Sequence, residues 1–427
     1  MKITRCVEEI KTAEWLNMCV DVGKDNLDVY TKYERNGERY ELRDRFSNRS
    51  SEILKHLIGY EELCAELGLA GVRIICEPTG GYERKLLRMA RKRNHKTSYV
   101  ASEATSKAKV IHSNDTGKTD QKDPEVIFTL MGLDLTLTSR NLPESYAHLR
   151  ELNQYYEDES NQTATTRNHV HAVMKELFCD FSYSNDFIFG ATGLALYRLF
   201  QLNPHNIMRC DYSDFKEQMC GEVKGVRKST LKKIYADAQA SVLHEISDWR
   251  RELLGFRLSE LMTDWDTHNQ RKQEFRDKMV KLYKGLAEYE KLSSFEGVSE
   301  FQLSRLLAET GPLSDFGQVR QLLRYAGLNI RERRSGKYKG QSKISKKGRA
   351  LSRKVLYQIA FSSLIHKDGL YGSYYAKKKI DLANGKKAIV AVMRKFLKMI
   401  FGLSKSQESF DSSRVFLCYN DHLKKVA

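Results

Sequence analysis

Asn17-Met18-Cys19-Val20-Asp21-Val22-Gly23-Lys24 is the stretch on which the reading of this 427-residue chain turns. Its apolar run, closed by glycine, has the length of a buried strand, and an acid at the end of such a strand is costly to leave unstabilised. Asp21 therefore needs something that offsets its charge. Outward from it, residues 27–34 and 38–46 meet across Asn36-Gly37, the dipeptide that favours a tight hairpin, so three consecutive antiparallel strands are expected. From Ser51 the apolar positions Ile53, Leu54, Leu57, Ile58, Leu63 and Leu67 fall at helical spacing. Residues 72–76 then read as a buried strand, 82–93 as a helix and 97–101 as a strand, with a further helix after Pro124. The order strand-strand-strand-helix-strand-helix-strand-helix is that of an α/β domain.

Composition sets the class of partner. Lys and Arg number 72 against 55 Asp and Glu, a net charge of +17, and 41% of the residues are apolar. That supports two or three cores and excludes a disordered tail protein. The positive excess points to a polyanion, nucleic acid first. No stretch approaches the roughly 18 apolar residues of a membrane span, and Met1-Lys2-Ile3-Thr4-Arg5-Cys6 lacks an apolar signal core, so a cytoplasmic protein with no membrane partner is expected. The eight cysteines form no Cys-x-x-Cys pair, and Cys19 and Cys76 sit in apolar runs. That argues against zinc and disulfide frameworks and for a reducing compartment.

Three more acids join Asp21. Glu77 directly follows the strand at 72–76, in Cys76-Glu77-Pro78-Thr79-Gly80-Gly81, at a carboxyl end where α/β sites gather. Asp120 and Asp123, in Lys118-Thr119-Asp120-Gln121-Lys122-Asp123, are three apart, which in a helical turn places both on one face. Singly, each has a bland explanation: Asp123 as a cap before Pro124, Asp120 as a solvated charge, Glu77 as a loop charge. Together, four carboxylates suit hard cations such as magnesium or manganese. The chemistry that uses such a cluster is two-metal phosphodiester cleavage.

The middle of the chain is helical. One apolar stripe runs from Leu149 through Tyr156 and Val170 to Leu177, and a second from Leu243 through Leu258, Trp265 and Met279 to Tyr289, an antiparallel coiled coil in its simplest form. Residues 182–240, interrupted by Asn203-Pro204 and Gly221, read as an inserted helical subdomain. The expected domains are thus 1–140, 141–291 with that insertion, and 292–427. Between Arg320 and Lys354 thirteen Lys or Arg face one acid, Glu332, with glycines at 327, 336, 340 and 348, a basic and loop-rich binding surface. Residues 383–403 return to helix.

The Asp, Glu, Asp, Asp set, with Glu-Pro-Thr-Gly-Gly-Tyr at 77–82 and Lys-Thr-Asp-x-x-Asp at 118–123, resembles the DEDD transposases of the insertion-sequence-one-ten family and the related Piv DNA invertases. The resemblance extends to Tyr325-Ala326-Gly327-Leu328, Arg333-Arg334-Ser335-Gly336 and Ile344-Ser345-Lys346-Lys347-Gly348. It implies an N-terminal RuvC-like, ribonuclease H-like domain, a coiled coil and a mainly α C-terminal transposase domain carrying a nucleophilic serine. Ser335 is the expected nucleophile, with Ser342 and Ser345 as nearby rivals. Arg333, Arg334, Lys337, Lys343, Lys346 and Lys347 are the expected contacts to DNA phosphates. Phe295-Glu296-Gly297-Val298 resembles the family's helix-hairpin-helix-like element, with Ser299 in place of a second glycine. The resemblance further implies double-stranded DNA at element ends and target, a non-coding bridge RNA, and a homodimer assembling to a tetramer at the nucleoid. A Piv-like invertase, a hydrolytic RuvC-like junction nuclease and a non-enzymatic nucleic-acid binder are the alternatives.

Overall fold

In the computed structural model, residues 2–5, 14–112, 123–138, 140–295, 297–331, 334–335, 338–340, 342–364, 370–406 and 408–411 are described. The chain divides into two compact units, Met1–Asn141 and Leu142–Ala427.

The first unit is built on one mixed sheet. Strands β2 (Leu16–Val22), β3 (Asn26–Arg35) and β4 (Glu38–Ser47) form the expected antiparallel meander, turned at Asn36 and Gly37, both with positive φ as the tight hairpin requires. Helix α1 (Ser50–Glu66) leads to β5 (Val72–Cys76), which pairs parallel to β2. Helix α2 (Glu83–Lys92) leads to β6 (Lys96–Val100), parallel to β5. Three elements go beyond the sequence reading. Strand β1 (Lys2–Arg5) pairs with β4, helix α3 (Ser102–His112) precedes α4 (Asp123–Gly132), and β7 (Thr136–Thr138) pairs antiparallel with β6. The strand order β1-β4-β3-β2-β5-β6-β7 is a ribonuclease H-like core with an extra strand at each edge. Both edge strands are short, and the 3.6-residue pattern of α3 is weak, which is why periodicity missed them.

Alternation along the strands assigns the two faces. Met18, Val20, Ile74 and Cys76 pack with Ile53, Leu57 and Leu86 of α1 and α2. Cys19, Ile75 and Val100 pack with Val126, Ile127 and Leu130 of α4.

The second unit begins with α5 (Glu144–Leu177), which packs against α10 (Asp248–Lys284). They run antiparallel: Glu176 pairs with Arg250 at 2.7 Å, and Glu159 with His268 at 2.5 Å. Gly285 ends α10 before the last residues of the expected stripe. Between them α6 (Ala191–Phe200), α7 (Pro204–Ile207), α8 (Tyr212–Glu222) and α9 (Lys228–Val242) share a core with the Val170–Leu177 end of α5 and the Leu254–Met262 part of α10. The other ends of the pair enter a second core with α12 (Glu300–Thr310), α13 (Val319–Tyr325), α14 (Ala350–Ser363) and the C-terminal helices α15 (Leu370–Leu382) and α16 (Gly385–Lys405). A short helix, α11 (Tyr289–Leu292), joins α10 to this core. The α5–α12–α14 junction is ionic: buried Arg305 donates to Asn153, Gln358 and Glu157, and Lys354 also reaches Glu157. Removing one member of such a buried set costs far more than the set contributes over an apolar substitute.

Candidate functional site

Register brings the first two carboxylates together. Val20 of β2 and Cys76 of β5 are parallel partners, so Asp21 and Glu77, each one residue further, end neighbouring strands about 4.8 Å apart in backbone. Both share the face of Cys19 and Ile75, the face that α4 covers. Burial pushes the Cys76 thiol up to about 12, and the charges of Glu83, Asp21 and Glu77 add to the shift. A third acid, Asp28, lies directly opposite Asp21 on β3, with Arg45 at 3.7 Å. Sequence reading passed over Asp28; its signal was the alternation Leu27-Asp28-Val29, which puts it on the face of Asp21 once the hairpin is paired.

Helix α3 organises the rest. Its buried Thr105 hydroxyl donates to Glu77 at 2.8 Å, and one turn on, Lys109 donates to Asp123 at 2.5 Å. Four helical residues rise about 6 Å, so Glu77 and Asp123 are addressed from one side of the same helix. Asp123 opens α4 directly before Pro124, in the first turn, where an acid is favourable. Asp120 lies outside the described residues. Among the described residues, no group of three or more acidic, histidine or cysteine side chains is close enough to hold a metal ion. The donors present at the strand ends are carboxylate oxygens, and their mutual repulsion is of the kind a hard divalent cation offsets.

The loops bearing these acids are held by two groups the sequence did not flag. Gly80 and Gly81 both have positive φ, and the buried Glu83 carboxylate folds back to accept from the backbone N–H of Thr79 and Gly81 and from the Thr79 hydroxyl. That explains the Thr-Gly-Gly after Glu77: two left-handed glycines turn the chain so that three donors meet one carboxylate. Buried Asn48 donates from Nδ2 to the carbonyls of Gly23 at 3.0 Å and Tyr82 at 3.4 Å, tying the loop after β2 to the loop after β5.

In the second unit the segments flanking Ser335 grip each other. Ser345 donates its backbone N–H to the Asn329 carbonyl at 2.8 Å, and its hydroxyl binds the Asn329 side chain. Lys346 N–H donates to the Gly327 carbonyl at 3.1 Å and Arg349 N–H to Tyr325 at 3.1 Å. Gly348, at φ +149, passes so close that an added Cβ would lie 2.4 Å from the Tyr325 oxygen. From this root rises a β-ribbon where the sequence suggested loop. Strand β8 (Ile330–Arg331) pairs with β11 (Lys343–Ile344), and β9 (Arg334–Ser335) with β10 (Tyr338–Lys339). Two-residue strands flanked by glycine and lysine carry no readable alternation, so only pairing reveals them. Ser335 is the last residue of β9, opposite Tyr338; for it and Arg334 the backbone alone is described. Arg333, Gly336 and Lys337 lie outside the described residues, whereas Lys343, Lys346 and Lys347 are described and exposed. At the corner before α12, Glu296 is outside the described residues and Gly297 has φ +78. Ser299 caps the helix in a reciprocal box with Gln302, so the Gln302 amide is satisfied internally rather than offered to a phosphate.

Two family models match this chain. A DEDD transposase model of the IS110 group covers residues 18–179, including every carboxylate above, and the model of the Transposase IS116/IS110/IS902 family covers 289–376, including Ser335 and both its flanks. The chain belongs to the IS110 family of DEDD transposases. Neither match covers residues 180–288, which hold the small helical core and α10. No curated protein was found to match the chain. As a transposase it acts on DNA and cuts and rejoins it, and DEDD chemistry depends on divalent metal. No described helix is long and apolar enough to cross a membrane.

Proposed function

We propose that this transposase cuts and rejoins element ends and target DNA by serine strand transfer, with Ser335 as nucleophile and Asp21, Glu77, Asp120 and Asp123 as the acidic partner site. The observation that carries this reading is the pair of in-register carboxylates at the ends of β2 and β5, in the same chain as a serine at the end of a basic β-ribbon. Asp21 and Glu77 hold the cation, magnesium or manganese, with Asp120 and Asp123 completing the set; when bound, it supplies positive charge to the reacting phosphate. The Ser335 oxygen forms a bond to phosphorus and loses its proton to solvent. One phosphorus–sugar oxygen bond breaks, and the released sugar oxygen takes up a proton. The energy of the diester is kept in the phosphoserine, so rejoining needs no outside energy source. Arg333, Arg334, Lys337, Lys343, Lys346 and Lys347 offset phosphate charge along the ribbon.

The Ser345 hydroxyl is already engaged by Asn329 and accepts from the Lys347 N–H, which counts against Ser345 as the nucleophile. We further propose that a bridge RNA selects the sites and that α5 and α10 pair two subunits, with the carboxylates of one serving the serine of another. Denaturing-gel trapping of a covalent protein–DNA adduct, with magnesium and host RNA, tests the chemistry. The adduct is expected for the native chain and absent for Ser335→Ala. Cleaved DNA without adduct, unchanged by that substitution, would make the protein a hydrolytic metal nuclease.

A further inference from the structure

Helix α14 buries one face and leaves two aromatic rings on the other. Val355, Leu356, Ile359 and Ala360 fill the core, whereas Tyr357 is 46% and Phe361 58% exposed. Four residues apart, the two rings lie one above the other along the helix, 6.1 Å between centres and 14° from parallel. An edge-to-face pair covers a ring face; a parallel pair turns its faces the same way, the arrangement that a further flat ring extends. A lone exposed apolar side chain needs no explanation, but two rings held parallel in water offer a surface that a ligand can reach.

The charge around the rings selects the ligand. From Arg333 to Lys367 the chain carries eleven Lys or Arg and no acid, and α14 itself holds two of those cations. Arg353 donates to the carbonyls of Ala326, Gly348 and Arg349, neutral acceptors that leave its charge in place. Lys354, one turn before Tyr357, shares Glu157 with Arg305, so that trio keeps one positive charge. Such surroundings repel a basic segment and attract a polyanion. An apolar peptide would use the rings and waste the cations. A duplex would use the cations, but its bases are already stacked on one another and have no face to give. A strand with unpaired bases uses both, since every base has a flat face and every linkage a phosphate.

We infer that Tyr357 and Phe361 are a stacking platform for the bases of an unpaired DNA strand, whose phosphates follow the basic run ahead of α14. DNA is the occupant because the family to which the chain belongs acts on it; the inference rests on that reading and not on the serine chemistry. Fluorescence anisotropy on the full chain, without divalent metal and at fixed salt, compares an oligothymidylate strand, an oligouridylate strand and a DNA duplex of the same length. Tyr357→Leu with Phe361→Leu, which keeps apolar bulk and removes both rings, is expected to weaken binding of the thymidylate strand about tenfold or more. Duplex affinity, the salt slope of strand binding and the melting temperature are expected to hold, because the cations and the buried face of α14 are untouched. Phe361→Trp, with a larger ring, is expected to bind the strand at least as tightly as the native chain. Iodouracil placed in the thymidylate strand is expected to crosslink to residues 350–363 of the native chain, a readout that needs no variant. Unchanged strand affinity without the rings would overturn the inference. So would an equal loss on strand and duplex, which would make the rings a support for the basic surface, or crosslinks confined elsewhere. Ring-dependent binding of uridylate, tighter than that of thymidylate, would hand the platform to an RNA strand and overturn the assignment to DNA. A native chain that binds neither strand nor duplex would instead strike the DNA reading itself.

Discussion

At the scale of single residues, chemically similar groups are sorted by what they already touch. Ser335 and Ser345 lie ten residues apart in one basic segment, yet the Ser345 hydroxyl is spent on Asn329 and the Gly327 carbonyl. Ser345→Ala is therefore expected to lower stability by about 1–2 kcal/mol, read by thermal unfolding, while covalent adduct formation persists. Loss of the adduct with unchanged stability would reverse the two roles. Asp44 shows a carboxylate serving the fold. Burial alone would raise its pKa, but hydrogen bonds from Tyr60, its neighbouring backbone N–H and His56, with the His56 charge, hold it below its ordinary value of 3.8. A depressed folded-state pKa stabilises fully above the unfolded value, and that stability is lost as pH falls through the folded one. Asp44→Asn should thus be less stable than the native chain at neutral pH, with the difference shrinking below about pH 4 in urea titrations. A constant difference at every pH would remove the ionised carboxylate from the argument.

Elements gain their roles through close approach. The root of the ribbon depends on Gly348 lying between the Tyr325 carbonyl and the Gly327 amide, where an added Cβ would fall 2.4 Å and 2.6 Å from backbone atoms. Gly348→Ala is expected to cost about 1–3 kcal/mol and to loosen the ribbon. Thermal unfolding together with hydrogen exchange at Ile330, Arg331, Lys343 and Ile344 checks it, and unchanged protection there would show that the ribbon does not depend on this contact. Helix α3 plays the matching part in the sheet domain. Its apolar stripe is weak, so nothing in its sequence announced a helix whose Thr105 and Lys109 reach two of the expected site carboxylates.

Across the whole molecule, charge and chemistry separate. A net charge of +17 carries affinity for any duplex through released counterions, and the acidic face carries none of it. Duplex affinity should fall linearly on a log–log plot against salt, and Lys346→Ala with Lys347→Ala should reduce the slope by roughly 1–2. Chelation of divalent metal should abolish cleavage and leave that salt-dependent binding intact, measured in parallel by gel cleavage and fluorescence anisotropy. Equal loss of both would mean that the cation is needed to hold DNA rather than to cut it.

Local pattern was enough for the apolar runs of β2 and β5, the Asn36-Gly37 hairpin and the long stripes of α5 and α10, and it singled out four acids as candidates by their Thr-Gly-Gly and Lys-Thr-Asp settings. Each depends on neighbours within a few residues, which period and turn chemistry expose. Tertiary structure decided the rest: that Asp21 and Glu77 lie at the ends of adjacent parallel strands, that Asp28 faces Asp21, and that Asn48 ties the loop after β2 to the loop after β5. It also decided that the segments around Gly327 and Gly348 close on one another beneath a ribbon ending near Ser335. Register, and hydrogen bonds between residues some sixteen to thirty-four positions apart, leave no local periodicity, so they exist only once the chain has folded back on itself.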